Sequence, residues 1–199
     1  MCAAKKDFRV VCLGGSAGGL EAYMAILRHM PADTGMAFVI APHRSSENSG
    51  LLPQILASVT TMPVIEVQDG MILAPNRVYI MPPHLEMTVK NDQFSLQPPR
   101  KPFGWPITIS VFLLSLAEAY GQRAIAVILS GLDHDGSTAL KPIKAAGGTT
   151  FAQSDAAFSD MPHNAVETGH VDFILSPEEI ASTLLELNAS PARGGGGET

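Results

Sequence analysis

The chain has 199 residues, of which 46% are hydrophobic and 16% charged, and its formal net charge is -6. This composition is typical of one globular domain with a sizeable core. The acidic balance and the lack of a dense Lys/Arg cluster exclude a general binder of nucleic-acid phosphates. The two cysteines, Cys2 and Cys12, predict neither a disulfide framework nor a metal site. With no signal peptide and no apolar run of membrane-spanning length, we expect a soluble, cytoplasmic protein.

Short apolar runs alternate with helical patterns along most of the chain, which predicts a parallel sheet covered by helices. In chain order we predict strands at 8–13, 35–41, 62–67, 123–131, 148–153 and 171–175. Helices are predicted at 19–30, 49–59, 106–121, 135–147, 161–169 and 176–187. The fold class is therefore α/β, a doubly wound and mostly parallel sheet with helices on both faces.

Residues 69–99 interrupt this rhythm. Turn signals such as "APN", "PPH" and "KND" split them into short alternating runs that fit no helix. We expect an antiparallel β-hairpin or meander there, appended to the main sheet. A proline-rich connector at 96–105 follows it. The predicted domain organisation is one catalytic domain over 1–187 and a disordered, glycine-rich tail or linker over 188–199.

The turn after the first strand, "GGSAGG" at 14–19, fits two common motifs. A dinucleotide-binding turn needs a glycine at the position of Ser16 and an acid at the end of the second strand, where this chain has His43. The pattern Gly-x-Ser-x-Gly is satisfied without alteration, and in such an elbow the serine side chain stands clear of the sheet. A turn made only for packing is a further alternative. The glycines that would support the elbow are Gly14, Gly15, Gly18 and Gly19.

Two further strand ends carry the partners that a nucleophilic serine requires. His43 follows the second strand, and Asp133, His134 and Asp135 follow the strand at 123–131. If these strands are neighbours, the side chains meet at the carboxyl edge of the sheet, and a Ser/His/Asp set is the composition of a catalytic triad. Each residue also has an ordinary structural explanation, because histidines and aspartates often cap helices and turns. No pair of the other histidines has zinc-ligand spacing.

Several separated segments, in this order, resemble the catalytic domain of the chemotaxis protein-glutamate methylesterases (CheB type). They are "GGSAGG", "FVIAPH", "DGMILAPNRVYIMPPH", "AVILSGLDHDGSTAL", "AAGGTTFAQ" and "MPHNAVETGHVDFIL". The resemblance extends from about Phe8 to Leu187. It implies a serine hydrolase that removes methyl esters from glutamates on the cytoplasmic helices of chemoreceptors and deamidates some glutamines there. It implies no metal or organic cofactor.

The resemblance also implies roles for individual residues. Ser16 is the nucleophile and His43 the base. Asp135 is the orienting acid, because the family's acid directly precedes the glycine. The backbone N–H of Ala17 and the loop near Leu132 would bind the oxyanion.

The chain departs from the family pattern at several positions. Gly15 stands where alanine is usual, Leu132 where methionine is frequent, and "PITIS" carries hydroxyls where an acid is common. "RSSENSG" resembles family versions that are fused to methyltransferase domains, which makes a methyltransferase domain a candidate regulatory partner. We also expect no receiver domain before Phe8, so a receiver domain is a candidate partner as well. Two other functions compete: a nucleotide-binding Rossmann-like domain, and a non-catalytic regulatory module that binds a partner through the 69–99 hairpin.

Overall fold

The computed structural model describes residues 8–43, 49–99 and 107–189. The strands are β1 (Val10–Gly15), β2 (Ala37–Pro42), β3 (Val64–Glu66), β4 (Arg77–Ile80), β5 (Glu86–Lys90), β6 (Gln93–Gln97), β7 (Ala124–Ile128), β8 (Thr149–Gln153) and β9 (Phe173–Leu175). The helices are α1 (Gly19–Arg28), α2 (Leu52–Ala57), α3 (Thr108–Tyr120), α4 (Leu140–Ala145), α5 (Asp160–Glu167) and α6 (Pro177–Ala189).

Seven strands form one sheet in the order β3-β4-β2-β1-β7-β8-β9, and every neighbouring pair is parallel. The central strand β1 is buried along its whole length, as expected where helices cover both faces. Its alternate residues enter two different cores: Val10 and Cys12 pack with α3, α4 and α5, whereas Val11 and Leu13 pack with α1, α2 and α6. The predicted doubly wound fold is confirmed.

The expectation for residues 69–99 is wrong in one part. β4 joins the main sheet in parallel between β3 and β2 instead of pairing with an antiparallel neighbour. Only β5 and β6 form the predicted hairpin, and they make a separate two-stranded antiparallel sheet. This hairpin packs on α3, where the N–H of Val89 donates a hydrogen bond of 3.0 Å to Ser115 Oγ.

The last helix begins as its sequence predicts. Ser176 N–H donates to Glu179 Oε2 at 2.9 Å, and Glu179 N–H donates to Ser176 Oγ at 3.3 Å, which is a capping box. The helix continues to Ala189, two residues beyond the predicted domain end, and residues 190–199 of the expected tail lie outside the described residues. Part of the proline-rich connector, residues 100–105, also lies outside them. Among the described helices, none has the length and apolarity to cross a bilayer.

Candidate active site

The carboxyl ends of β2, β1 and β7 lie side by side at one edge of the sheet. Ser16 follows β1 and His43 follows β2. Their backbones are joined to the neighbouring strand ends, because Ser16 N–H donates to Ser130 O at 2.8 Å and His43 N–H donates to Gly15 O at 2.9 Å. The prediction required the strands before Ser16, His43 and the 131–135 loop to be neighbours. They are, so these three segments meet at this edge of the sheet.

The elbow around Ser16 depends on its glycines. Gly18 has φ +72° and stands at the N-terminus of α1, a backbone conformation that favours glycine. A Cβ on Gly14 would lie only 2.7 Å from Cγ2 of Ile109 in α3, and one on Gly15 would lie 2.9 Å from Oη of Tyr23 in α1. The turn therefore lets two helices approach the first strand closely while the chain reverses into α1.

Ser16 is half-buried and lies beside unused backbone donors. Among the residues that the structure describes, Ser16 Oγ has no hydrogen-bond partner, and the backbone N–H groups of Ala17 and Leu132 donate no hydrogen bond. The loop after β7 runs next to the serine, since a Cβ on Gly131 would lie 3.0 Å from Ser16 Cβ. Leu132 is 58% exposed. A free hydroxyl next to N–H groups that are not engaged is a chemically suitable arrangement for holding a developing oxyanion.

The imidazole of His43 lies between two carboxylates of the loop after β7. Its ring is buried, with Nδ1 2.5 Å from Asp133 Oδ2 and Nε2 3.8 Å from Asp135 Oδ2. Burial raises the pKa of Asp133, but the interaction with His43 and the hydrogen bond from the N–H of Asp135 outweigh it, so this pKa is lowered overall. No hydrogen bond joins Ser16 to His43 among the described residues. Catalytic hydrogen bonds are often long or absent in unliganded sites and tighten when substrate binds.

Asp135 is buried, and its carboxylate is held by the first turn of α3. Oδ2 accepts the N–H of Ile109 at 2.8 Å, while Oδ1 accepts the N–H of Ser110 at 2.9 Å and its hydroxyl at 2.7 Å. Burial raises the pKa of Asp135 more than these hydrogen bonds lower it. The structural alternative for Asp135 was a helix cap. Asp135 does cap a helix N-terminus, but the helix is α3 and not the one that follows Asp135 in the sequence.

Two buried serines complete the site and were missed by sequence reasoning. Ser110 donates to Asp135, and its Oγ accepts the N–H of Gly136 at 2.8 Å, so it joins α3 to the loop. Ser130 Oγ donates to Ala17 O at 2.7 Å and accepts the N–H of Phe158 at 3.0 Å, which holds the elbow against the segment after β8. The only sequence signal for Ser110 was a hydroxyl in the first turn of an apolar helix, and Ser130 gave none beyond its place near the end of a predicted strand.

Cys12 and the metal-ligating side chains of the described residues add no further chemistry to the site. Cys12 is buried in β1, where burial and the nearby Asp135 raise its pKa far above the ordinary thiol value, so it is an inert core residue. In the described part of the chain, no group of three or more His, Cys, Asp and Glu side chains is arranged to hold a metal ion. The expectation of a reaction without a cofactor stays a prediction.

The fold and the edge described above define the class of the protein: a doubly wound α/β domain with a serine on a glycine elbow after its central strand. The family model described as CheB methylesterase matches residues 11–184, and the chain belongs to this family. The family resemblance inferred from separated sequence segments is confirmed.

Individual relatives agree with this membership. A putative protein-glutamate methylesterase/protein-glutamine glutaminase of Leptospira interrogans is 31% identical over 187 residues, which cover 92% of this chain and 96% of that protein. Protein-glutamate methylesterase/protein-glutamine glutaminase 2 of Anaeromyxobacter dehalogenans is 36% identical over 182 residues, covering 89% of this chain but only 53% of that protein. The crystal structure of the Thermotoga maritima CheB methylesterase catalytic domain matches with a TM-score of 0.84 and 29% identity, covering 91% of this chain and 99% of that one.

Proposed function

We propose that this chain is a serine hydrolase that removes methyl esters from glutamate side chains on the cytoplasmic helices of chemoreceptors. We infer that it also deamidates glutamines there and that it acts in the cytoplasm. The observation that carries the proposal is the meeting of Ser16, His43 and the 131–135 loop at three adjacent strand ends. Family membership supports the same reaction. A receiver or methyltransferase domain stays a predicted regulatory partner.

In the proposed reaction, Ser16 Oγ attacks the γ-carbonyl carbon of the methylated glutamate while His43 Nε2 accepts the serine proton. The tetrahedral intermediate collapses, and methoxide leaves with the proton from His43 as methanol. Water then attacks the acyl-enzyme, His43 again accepts a proton, and free glutamate and Ser16 are released. With a glutamine substrate the leaving group is ammonia.

The backbone donors and the buried acid have separate roles in this scheme. In this scheme the N–H groups of Ala17 and Leu132 bind the oxyanion, because other described residues do not engage them and because the loop that carries Leu132 passes next to Ser16. Asp135 stabilises the imidazolium that forms on His43, at a present distance of 3.8 Å from Nε2. Since α3 already fixes its carboxylate, this charge needs no reorganisation during the reaction.

The experiment is methanol release from a methylated chemoreceptor fragment. Ser16→Ala is expected to lower the rate about 10³-fold or more, because the residual oxyanion binding alone cannot replace the nucleophile. The matched control is Ser182→Ala, an exposed serine of α6 whose hydroxyl donates to Glu178 O within its own helix. An unchanged rate in Ser16→Ala would contradict the nucleophile assignment. No methanol release by the wild type, together with a melting temperature raised by NAD or ATP, would favour the nucleotide-binding alternative.

A further inference from the structure

A second carboxylate lies closer to the catalytic histidine than the acid implied by the family pattern. Asp133 Oδ2 is 2.5 Å from His43 Nδ1, whereas the nearest approach of Asp135 is 3.8 Å, to Nε2. Only the first distance is within hydrogen-bonding range, although Nδ1 and Oδ2 are not aligned for a standard hydrogen bond in this structure. The two acids therefore address opposite nitrogens of one ring.

Asp133 is held in place from two sides. Its Oδ1 accepts the N–H of Asp135 at 2.7 Å, and its backbone carbonyl accepts a hydrogen bond of 2.9 Å from Asn164 Nδ2 of α5. Its side chain is 28% exposed, and its pKa is lowered, so it is ionised near neutral pH. An ionised carboxylate accepts hydrogen bonds only, which makes it a partner for an N–H and not for a bare ring nitrogen.

Asp135 is engaged differently. Three donors of Ile109 and Ser110 already occupy its two oxygens. Within the described ranges, the carboxylates facing the imidazole are Asp133 and Asp135 of the same loop, and His134 acts on Asp133 from the adjacent position. A neutral imidazole carries one N–H, and the acceptor bound to one nitrogen decides which nitrogen is protonated.

We propose that Asp133 is the positioning residue that accepts the Nδ1–H of His43, so that Nε2 is left unprotonated to take the proton of Ser16. Asp135 then serves as the fixed anion beyond Nε2. This inference rests on the proposed function, because it assigns a role within the same reaction. A single triad aspartate usually both fixes the histidine tautomer and stabilises the imidazolium. In the proposed site Asp133 fixes the tautomer and Asp135 stabilises the imidazolium.

The direct test is the tautomer itself, read by ¹⁵N NMR of the histidine ring nitrogens, with the His43 signal assigned from its loss in His43→Gln. The wild type is expected to carry the proton on Nδ1. In Asp133→Asn the amide oxygen can still accept the N–H of Asp135, which turns the NH₂ group towards Nδ1 and moves the ring proton to Nε2. Asp155→Asn is the control, since this exposed acid follows β8 and its carboxylate accepts from Gln153.

Kinetics give the second readout. Asp133→Asn is expected to lower kcat by about 10²- to 10⁴-fold with KM changed by less than about threefold, because a misplaced proton removes the base without removing substrate contacts. The acid limb of its pH–activity profile moves to lower pH, since one of the anions beside the imidazole is lost. Labelling of Ser16 by a fluorophosphonate, which needs the same base, slows in parallel. Asp155→Asn shows none of these changes.

Asp135→Asn separates the two acids. It is expected to lower the melting temperature as well as the rate, because α3 loses an anionic acceptor, yet to leave the proton on Nδ1. The inference is overturned if Asp133→Asn keeps the wild-type tautomer and rate, or if Asp135→Asn alone moves the proton. If the proposed function is wrong but this inference is right, the results differ from those above. The wild type would then release no methanol and resist the fluorophosphonate, while Asp133→Asn would still move the ring proton to Nε2.

Discussion

Ser110→Ala removes the hydroxyl that joins the first turn of α3 to the loop after β7. Ser110 is 2% exposed, and its Oγ donates to Asp135 at 2.7 Å and accepts from the N–H of Gly136 at 2.8 Å. Alanine fits the same space, so the substitution changes hydrogen bonding without overpacking the core. Its effect therefore measures what the link between α3 and the loop contributes.

Ser110→Ala removes three hydrogen bonds, and the size of the effect follows from the two short ones, since the third, from the Thr138 hydroxyl, is 3.3 Å long. A hydrogen bond to a charged group contributes about 1.5–3 kcal/mol, and leaving a buried N–H without a partner costs about 1–3 kcal/mol. Together the two contributions amount to about 2.5–6 kcal/mol. Because Asp135 keeps the two N–H donors of Ile109 and Ser110, we expect a loss of stability in the lower half of this combined range, about 3 kcal/mol. For a domain of this size, each kcal/mol lowers the melting temperature by about 2–4 °C, which predicts a fall of about 6–12 °C.

Activity should change in a particular way as well. The Ser110 hydroxyl is one of the groups that oppose the effect of burial on the pKa of Asp135. Without it this pKa rises further, a larger fraction of Asp135 is neutral, and the loss of kcat grows as the pH is lowered. The assays are thermal denaturation followed by circular dichroism and methanol release measured over a pH series.

The matched control is Ser115→Ala in the same helix. Ser115 Oγ donates to Phe112 O at 2.8 Å and accepts the N–H of Val89 at 3.0 Å, so it loses comparable bonds away from the loop. It is expected to lower the melting temperature without altering the pH profile. A Ser110→Ala protein that melts within about 2 °C of the wild type, equivalent to less than about 1 kcal/mol, and keeps its pH profile would refute the reasoning.

Two other substitutions test separate features. Gly131→Ala places a Cβ 2.0 Å from Sδ of the buried Met161 and 3.0 Å from Ser16 Cβ. Overpacking of about 1–3 kcal/mol should therefore lower the melting temperature, and displacement of Ser16 should lower kcat. Wild-type values in both assays would contradict this. Although burial raises the pKa of Asp172, the bonds from Lys144 and Thr150 outweigh it and lower this pKa below the ordinary 3.8. The stabilisation by Asp172 is therefore complete above that ordinary pKa and is lost as the pH falls through the lower folded-state pKa. Urea unfolding over an acidic pH series should show a shallower loss of stability in Asp172→Asn, and an unchanged slope would count against the assignment.

The parallel sheet was predictable because its central strands are uninterrupted apolar runs separated by helical patterns. β4 was not, since a four-residue run between turn signals shows neither its partner nor its direction. Strand pairing there is decided by tertiary contacts: β4 inserts between β3 and β2, where it contributes Val78 and Ile80 to the core shared with α1, α2 and α6.

The candidate site was predictable to the level of segments. The Gly-x-Ser-x-Gly turn, the histidine after β2 and the aspartates after β7 all lie where the sequence predicted them. The choice between Asp133 and Asp135 was not accessible from spacing, because the two are only two residues apart. It depends on loop dihedral angles and on the donors that α3 presents to the loop from 25 or 26 residues away.

Asp133 and Asp135 differ in burial and in the number of hydrogen bonds that they accept, and this difference suits them to different tasks. Asp135, buried under the N-terminus of α3, already accepts three hydrogen bonds, which makes it a fixed charge with little capacity left to orient a ring that must also turn towards a substrate. The partly exposed carboxylate of Asp133 keeps an oxygen for the ring, and its interactions with His43 and with the N–H of Asp135 lower its pKa against the effect of burial and keep it ionised. Asp135 holds α3 against the loop, and in the proposed scheme a second acid at position 133 lets the histidine be oriented without weakening that attachment.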